Sequence, residues 1–557
     1  MTTEPLDTIK LEVWWSRLVA IADEAATTLL RTAFSTIIRE SNDYTVVLLN
    51  PAGQTIAECH AGIPAFAALM STLTRQLLDK FPADSWHEGD VVITNDPWIA
   101  TGHLPDIAMV TPIFHRGVLV GFTGTAAHVP DIGGTPGMGV TDLMAEGLLI
   151  PPLHLRRKGR LNDEVVALLL SNVRLADQVW GDLEAQLAAN DVSRRRSVEF
   201  LDDTGQADFA ELSQAVHATA DRAMRRAIRA IPDGVYRSTT DADGVDGQPT
   251  RIACSVTVDG DDIVVDYAGS SPQVRYATNC TLNYTTAYSI YPLKILLDPF
   301  TRSNYGSYRS IAVTAPAGSI VNPTFPAPVL ARHLTGHLLS CAVYRALADV
   351  LPERVIADSG GSPALRVQFS GRTAPGDPFA LLLFASAGMG ASARHDGLPT
   401  TAFPTNSGGG SIEALESSAP LLFRRKEFRA DSGGAGTHRG GLGQDIEVQN
   451  TTDSPLRVVL LGDRSQHPAL GINGGTPGDV ARAIDDTGVP LPLKSVSTLP
   501  AGGGLTISFA GGGGYGPAAG RDPADIAADL RAGFITHEAA VRDYGVDNVT
   551  TTGRNSD

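Results

Sequence analysis

The chain is short of cysteine, short of positive charge and without a long apolar run. Its four cysteines, Cys59, Cys254, Cys280 and Cys341, lie far apart with no CxxC pair, so neither a thiolate zinc site nor a disulfide framework is encoded. That usage fits a reducing, cytoplasmic setting. Lys and Arg number 44 against 61 Asp and Glu, a net charge of −17, which repels nucleic-acid backbones and anionic membrane surfaces. No stretch approaches the roughly 18 apolar residues of a membrane span, and MTTEPLDTIKLEVWW lacks the basic start and apolar stretch of a signal peptide. Neither a membrane partner nor export by that route is expected. Two nucleotide and nucleophile signatures are missing as well: no GxxxxGK[ST] loop and no GxSxG elbow is present.

What is present is enough for several cores, because 557 residues correspond to roughly three to four domains at about 150 residues each. Gly 57 and Pro 35 make loops a large share of the fold and exclude an all-helical bundle. Residues 11–38 repeat apolar positions every three or four residues, as an amphipathic helix does. Residues 44–50 and 54–57 flank Pro51-Ala52-Gly53 as a hairpin, and Pro64 suits the first turn of a second helix. Helical periodicity returns over about 175–231 and again over 331–350, separated by β-rich runs at 252–258 and 262–267. Arg194, Arg195, Arg196, Arg222, Arg225 and Arg226 read as a solvated or partner-facing surface. From 365 to 507, strand-like runs alternate with glycine clusters that read as tight turns. Two short helices are expected over 523–544, with Thr536 an N-cap, and residues after Val546 read as frayed. The expected fold is thus α+β and multidomain. Residues 1–230 form a helical part with a metal-bearing β-hairpin region, 231–364 a central α+β part, and 365–557 a mainly β, Gly-rich part with C-terminal helices.

Chemistry concentrates in one stretch, where Asn95-Asp96-Pro97, Gly102-His103-Leu104-Pro105-Asp106 and His128-Val129-Pro130-Asp131 place two His-x-Pro-Asp motifs within thirty residues. The runs 107–114 and 118–125 between them join at His115-Arg116-Gly117, where a hairpin needs glycine. With Arg116-Gly117 as the loop, facing residues have numbers summing to roughly 233, which sets His128 opposite Pro105, beside His103 and Asp106. Two imidazoles and a carboxylate converging at one end of a hairpin suit zinc, manganese or iron, and such an ion lowers the pKa of bound water toward neutrality. A second aspartate could orient a histidine from outside. The alternative is that these residues only cap turns beside proline. Two further candidates are weaker. His333 and His337 stand one helical turn apart, but the glutamate of HExxH is absent and Gly336 occupies the turn. Cys59 beside His60 reads as a loop residue.

NDPWIATGHLPDIAMVTPIF followed by AAHVPDIGG resembles the hydantoinase B/oxoprolinase family. GDLEAQLAAN at 181–190, IPDGVY at 231–236, DYAGSSPQV at 266–274, DSGGAGTHRGGLG at 431–443 and GGGGYGP at 511–517 are similar to further blocks of that family. The resemblance implies the B-type component of an ATP-dependent cyclic amide hydrolase of hydantoinase, oxoprolinase or lactamase type. Its partner would be a hydantoinase A-type subunit that binds ATP and Mg and phosphorylates the substrate carbonyl. The resemblance also implies a metal site of Asp43, His103, Asp106 and His128, with zinc or manganese expected, and water activated by that ion completing hydrolysis. Asp131, at the next matching position, is the candidate for outer-shell support or proton transfer, and Asp96 a weaker one, as a turn cap. Two alternatives are a component of an ATP-dependent ketone carboxylase and a non-catalytic scaffold for the A-type partner. Carboxylation is disfavoured on the ground that Arg116, at the far hairpin turn, is the only Lys or Arg between Asp90 and Pro151.

Overall fold

The computed structural model describes residues 7–135, 137, 139–373 and 376–546; the stretch after Val546 lies outside them. Seven strands build the sheet that carries the His-x-Pro-Asp motifs: β1 (Tyr44–Leu49), β2 (Thr55–Glu58), β3 (Val91–Thr94), β4 (Asp106–His115), β5 (Val118–His128), β6 (Leu153–Arg157) and β7 (Arg160–Leu161). Their order is β2-β1-β5-β4-β3-β6-β7, antiparallel throughout. Alternating side chains feed two faces. Leu48, Ile113 and Val120 pack with Trp15 and Leu18 of the helix Thr8–Thr32, while Val47, Val110 and Phe122 pack with Met70 and Leu73 of the helix Pro64–Lys80. Both faces are covered, so the central strands are almost wholly buried.

The long N-terminal helix ends earlier than the apolar repeat suggests, at Thr32, and a short helix Thr36–Arg39 follows. The break has a cause in Asp182 of the helix Ala176–Thr204: its Oδ1 accepts the amides of Phe34 (2.7 Å) and Ser35 (3.0 Å). A Cβ on the neighbouring Gly181 would meet the Phe34 ring at 2.4 Å. The Gly-Asp pair opening the GDLEAQLAAN block therefore redirects the chain toward Asp43. The single periodic segment expected over 175–231 is two helices, Ala176–Thr204 and Ala210–Ile228, divided at Gly205, which has φ of 67°. Their surface arginines find carboxylates, Arg196 with Glu24 and Arg225 with Asp221 and Asp261.

A second sheet comprises β8 (Gly234–Val245), β9 (Gln248–Asp259), β10 (Asp262–Asp266) and β11 (Ile311–Thr314), ordered β11-β10-β9-β8, with β10 and β11 parallel. The helix Leu282–Leu297, which no periodicity announced, packs beside it. It is apolar on nearly all sides and buried on nearly all sides, so it has no polar stripe to betray it. The helix expected over 331–350 appears as His333–Gly336 and Leu338–Leu347.

The remaining strands are β12 (Arg366–Arg372), β13 (Pro378–Phe384), β14 (Leu421–Phe428), β15 (Gln444–Asn450), β16 (Leu456–Leu461), β17 (Arg482–Asp485), β18 (Lys494–Leu499) and β19 (Gly504–Ser508). They form two four-stranded antiparallel sheets, β13-β12-β16-β18 and β14-β15-β19-β17. Val367, Phe369, Ile446, Val458 and Ile507 join the two in one apolar core. The glycines at 434, 441 and 512 differ from the tight turns expected of them. They sit where backbones touch: a Cβ at Gly441 would fall 2.1 Å from the Leu398 carbonyl oxygen, and one at Gly512 2.1 Å from that of Met389. Close chain-to-chain approach, not turn conformation, requires glycine there. Among the described residues no helix is long and apolar enough to cross a membrane.

Candidate metal centre

Three adjacent strands end at one level. β1 pairs Tyr44 with Ala127 of β5, and β4 pairs Asp106 with His128, so Asp43, His128 and Asp106 stand side by side across the sheet. The Arg116-Gly117 turn is as expected, both residues having positive φ (52° and 81°). A bulge at Ile113/Phe114 then advances the register by one residue, which is why His128 faces Asp106 and not Pro105. His103 arrives from the loop before β4. Asn95 holds that loop, its amide donating to the carbonyls of Leu104 (2.8 Å) and Leu148 (2.9 Å) while its oxygen accepts the Ile150 amide. Gly102, at φ of 94°, lets the chain pass against Arg332, whose Cδ would lie 2.8 Å from a Cβ there.

The resulting cluster is tight. Asp106 Oδ1 lies 2.8 Å from His103 Nε2 and 2.9 Å from His128 Nδ1, and one ligand atom from each of the three residues lies within 4.8 Å of the others. Asp43 stands just outside this trio, its Oδ2 3.9 Å from His128 Nδ1. His103 Nδ1 lies 3.0 Å from the Leu330 carbonyl oxygen, which places the proton on Nδ1 and leaves the lone pair on Nε2. That Nε2 is buried, and the polar atom facing it is Asp106 Oδ1. Burial pushes the His103 imidazole down to about 4, so the ring is neutral at neutral pH. Burial pushes the Asp43 carboxyl up to about 6. Burial acts in the same sense on Asp106, but its contacts with His103, Arg332 and His128 outweigh it and hold that carboxyl well below its ordinary range. A buried imidazole lone pair beside an ionised carboxylate and a second imidazole is a donor set that fits a transition-metal ion.

Distant sequence supplies the rest of the cavity, a space of about 140 Å³ lined by Asp43, His103, His128, Glu146, Arg332, His333 and Arg366 among others. Arg332 donates from Nη2 to Asp106 Oδ2 (2.6 Å) and from Nε to the Thr101 carbonyl (2.6 Å), with its guanidinium 4.1 Å from the Tyr284 ring. Two arginines therefore reach a site whose own stretch of sequence has only Arg116, at the far hairpin turn; the parts beyond residue 230 deliver them, which removes the ground on which carboxylation was disfavoured. Glu146 Oε1 accepts the amides of Val329 (2.6 Å) and Leu330 (2.8 Å), fixing the carbonyl that fixes His103, and burial pushes this carboxyl up to about 8. No motif marks Glu146, Arg332 or Arg366. The one signal for Glu146 is its place between the second motif and Ile150.

The other candidates sort by their contacts. Asp131 lines the cavity, yet Gly133 N and Arg174 Nη1 occupy its Oδ1, and Arg174 N and Leu175 N its Oδ2. Four donors thus surround its carboxylate. Asp96 accepts the Trp98 amide at 3.0 Å as a turn cap. His333 and His337 line the same cavity, their rings 5.6 Å apart, but neither belongs to the ligand trio. Cys59 donates to the Ala61 carbonyl, and His60 pairs with Asp23 at 2.7 Å.

The family model for hydantoinase B/oxoprolinase matches residues 7–518. The chain belongs to that family. Its relatives include a protein of Pseudomonas sp. (strain NS671) described as the B-type subunit of a D-/L-hydantoinase, 32% identical over 97% of this chain and 95% of that one. The beta subunit of the caprolactamase of Pseudomonas jessenii is 31% identical, over 97% and 96%. The crystal structure of the ATP-dependent caprolactamase from Pseudomonas jessenii superposes with a TM-score of 0.91 at 29% identity, covering 98% of this chain and 97% of that one.

Proposed function

We propose that this chain is the component of an ATP-dependent cyclic amide hydrolase that completes ring opening once a partner has phosphorylated the ring carbonyl. One observation carries the reading: Asp43, Asp106 and His128 meet His103 at one end of three adjacent strands, and Asp43, His103 and His128 line a cavity of about 140 Å³. That volume is below the roughly 300–1,000 Å³ of pockets for drug-sized ligands, which favours a small ring. Those four residues would hold a transition ion, zinc or manganese before magnesium because imidazole is among the donors. Such an ion supplies Lewis acidity and makes water nucleophilic at neutral pH.

The chain's own groups organise the reaction around it. Arg332 pins Asp106, and the Leu330 carbonyl pins His103, so two ligand side chains arrive in fixed orientation. Asp131, tied to Arg174, serves to hold the loop that borders the cavity and not to carry a proton. Glu146 is the better-placed group to hold a proton near the ring, having one carboxyl oxygen buried without a partner. In the reaction, water adds to the activated carbon and the ring C–N bond breaks, the nitrogen taking a proton. A second water then releases phosphate from the acyl phosphate and leaves the carboxylate.

The partner reading is supported by relatives whose names make each of them one subunit of a larger enzyme, and by 5-oxoprolinase 1 of Arabidopsis thaliana, of whose length this chain spans 42%. The remainder of that longer chain is room for the ATP-binding half. A cytoplasmic setting remains part of the proposal. Arg332 and Arg366 also give the ketone carboxylase reading the basic groups it needs, so the identities of the relatives, not pocket charge, favour hydrolysis. The test is to co-purify the chain with its cognate ATP-binding partner and supply MgATP with lactams, hydantoins, or ketones plus labelled bicarbonate. Ring opening with release of ADP and phosphate is expected. Label in an acidic product from a ketone, with no ring opened, overturns the proposal.

A further inference from the structure

Two arginines are buried in the cavity wall, and their circumstances differ. Arg332 is ion-paired with Asp106, donates also to the Thr101 carbonyl and lies over the Tyr284 ring. Arg366, the first residue of β12, is 9% exposed. Its Nη2 is 3.3 Å from the Ser407 hydroxyl, and its guanidinium carbon is 4.1 Å from the centre of the Phe384 ring. It forms no ion pair among the described residues. The Asp43 carboxylate stabilises its charge from a distance, but no anion among the described residues touches it, and buried charges in folded proteins are ordinarily paired by contact. Burial draws Arg366 down to about 10, which still leaves it charged at neutral pH.

Two further polar groups stand beside it. His333 lines the same cavity, and its Nε2 is buried with no partner. Burial and the adjacent cationic side chains hold that imidazole far below its ordinary range, so the ring is neutral and able to donate one N–H. Ser407, 2.9 Å from the Thr405 hydroxyl, can rotate its proton toward the cavity. An arginine fork, a hydroxyl and an imidazole, contributed by three residues, can each meet one of the three oxygens of a phosphoryl group. They match a tetrahedral oxyanion.

We infer that Arg366, Ser407 and His333 form an oxyanion-binding wall of the cavity that holds the phosphoryl group of the activated ring. The inference rests on the hydrolase reading above and adds to it the place where the phosphoryl oxygens sit, apart from the four residues assigned to the ion. It also gives β12 a purpose: the β-rich C-terminal part contributes the anion grip, while the N-terminal sheet contributes the ion ligands.

The experiment is a calorimetric titration of the full-length protein with inorganic phosphate, with acetate and with the neutral lactam 2-pyrrolidinone, with metal content measured in parallel. Arg366→Met should weaken phosphate binding at least tenfold, with metal content unchanged, and Arg366→Lys should fall between it and the original. Ser407→Ala should weaken phosphate severalfold, and supplies the test should Arg366→Met fail to fold. Phosphate affinity unaltered in the Arg366 and Ser407 variants overturns the inference. Acetate binding as tightly as phosphate, and lost in the same variants, overturns it too, by assigning the wall to a substrate carboxylate. Failure of the hydrolase reading is seen separately, as absence of ring opening by the original complex while phosphate binding still depends on Arg366.

Discussion

At the scale of single residues, the site depends on who occupies each polar atom. His103 and His128 share Asp106 Oδ1, and Arg332 takes the other oxygen. Replacing either imidazole removes one of the two nitrogen donors of the cluster. His103→Ala and His128→Ala should each lose the roughly one transition ion per chain expected of the purified protein. His333→Ala should keep it, and elemental analysis of the three variants checks the contrast. Glu146 permits a prediction about pH. Its carboxyl rises from an ordinary 4.5 to about 8 in the folded chain because it is buried, so between those values the folded state holds a proton the unfolded state has lost. This contribution is fully present below about pH 4.5 and is lost as pH rises through about 8, on the order of a few kcal/mol. Glu146→Gln should therefore show a smaller fall in urea midpoint between pH 6 and pH 8.5 than the original protein does.

At the scale of elements, the strands set the site and one helix terminus sets the strands. Asp182 ends the N-terminal helix by accepting two amides, and the chain then turns through Thr36–Arg39 into Asp43 and β1. Asp182→Ala would orphan both amides, at about 1–3 kcal/mol each. Chemical denaturation should report that loss, and metal affinity should fall with it, because Asp43 is no longer held at the level of His128. A variant with full stability and full metal content would show that the break has another cause. The hairpin was legible in the sequence because alternation and a two-residue turn fix register locally, and only the bulge at Ile113/Phe114 moved it by one place. The placement of Asp43 was not legible from pattern, since it depends on β1 pairing with β5 across some eighty residues of chain; the family resemblance alone suggested it. Arg332 and Arg366 were unreadable for the same reason. A helix buried on nearly all sides, Leu282–Leu297, gave no period to read.

At the scale of the whole molecule, the cavity is a meeting place. The seven-stranded sheet brings Asp43, His103, Asp106 and His128, the central part brings Arg332 and His333, and β12 brings Arg366. One apolar cluster runs from Ile63 and Phe66 through Tyr284 and Leu338 to Phe403, so these parts are packed against each other around the site. Such a construction suits a reaction in which an ion and an anionic group must be held at once in a confined volume. The central claim is that this chain performs chemistry at that meeting place and is more than a support for an ATP-binding partner. The most direct measurement is the rate of ATP-dependent ring opening by the assembled complex carrying Asp43→Ala, with assembly verified by co-purification. The account predicts a loss of at least roughly 100-fold relative to the original complex. Turnover at the original rate with the aspartate gone would contradict it and leave the chain a scaffold.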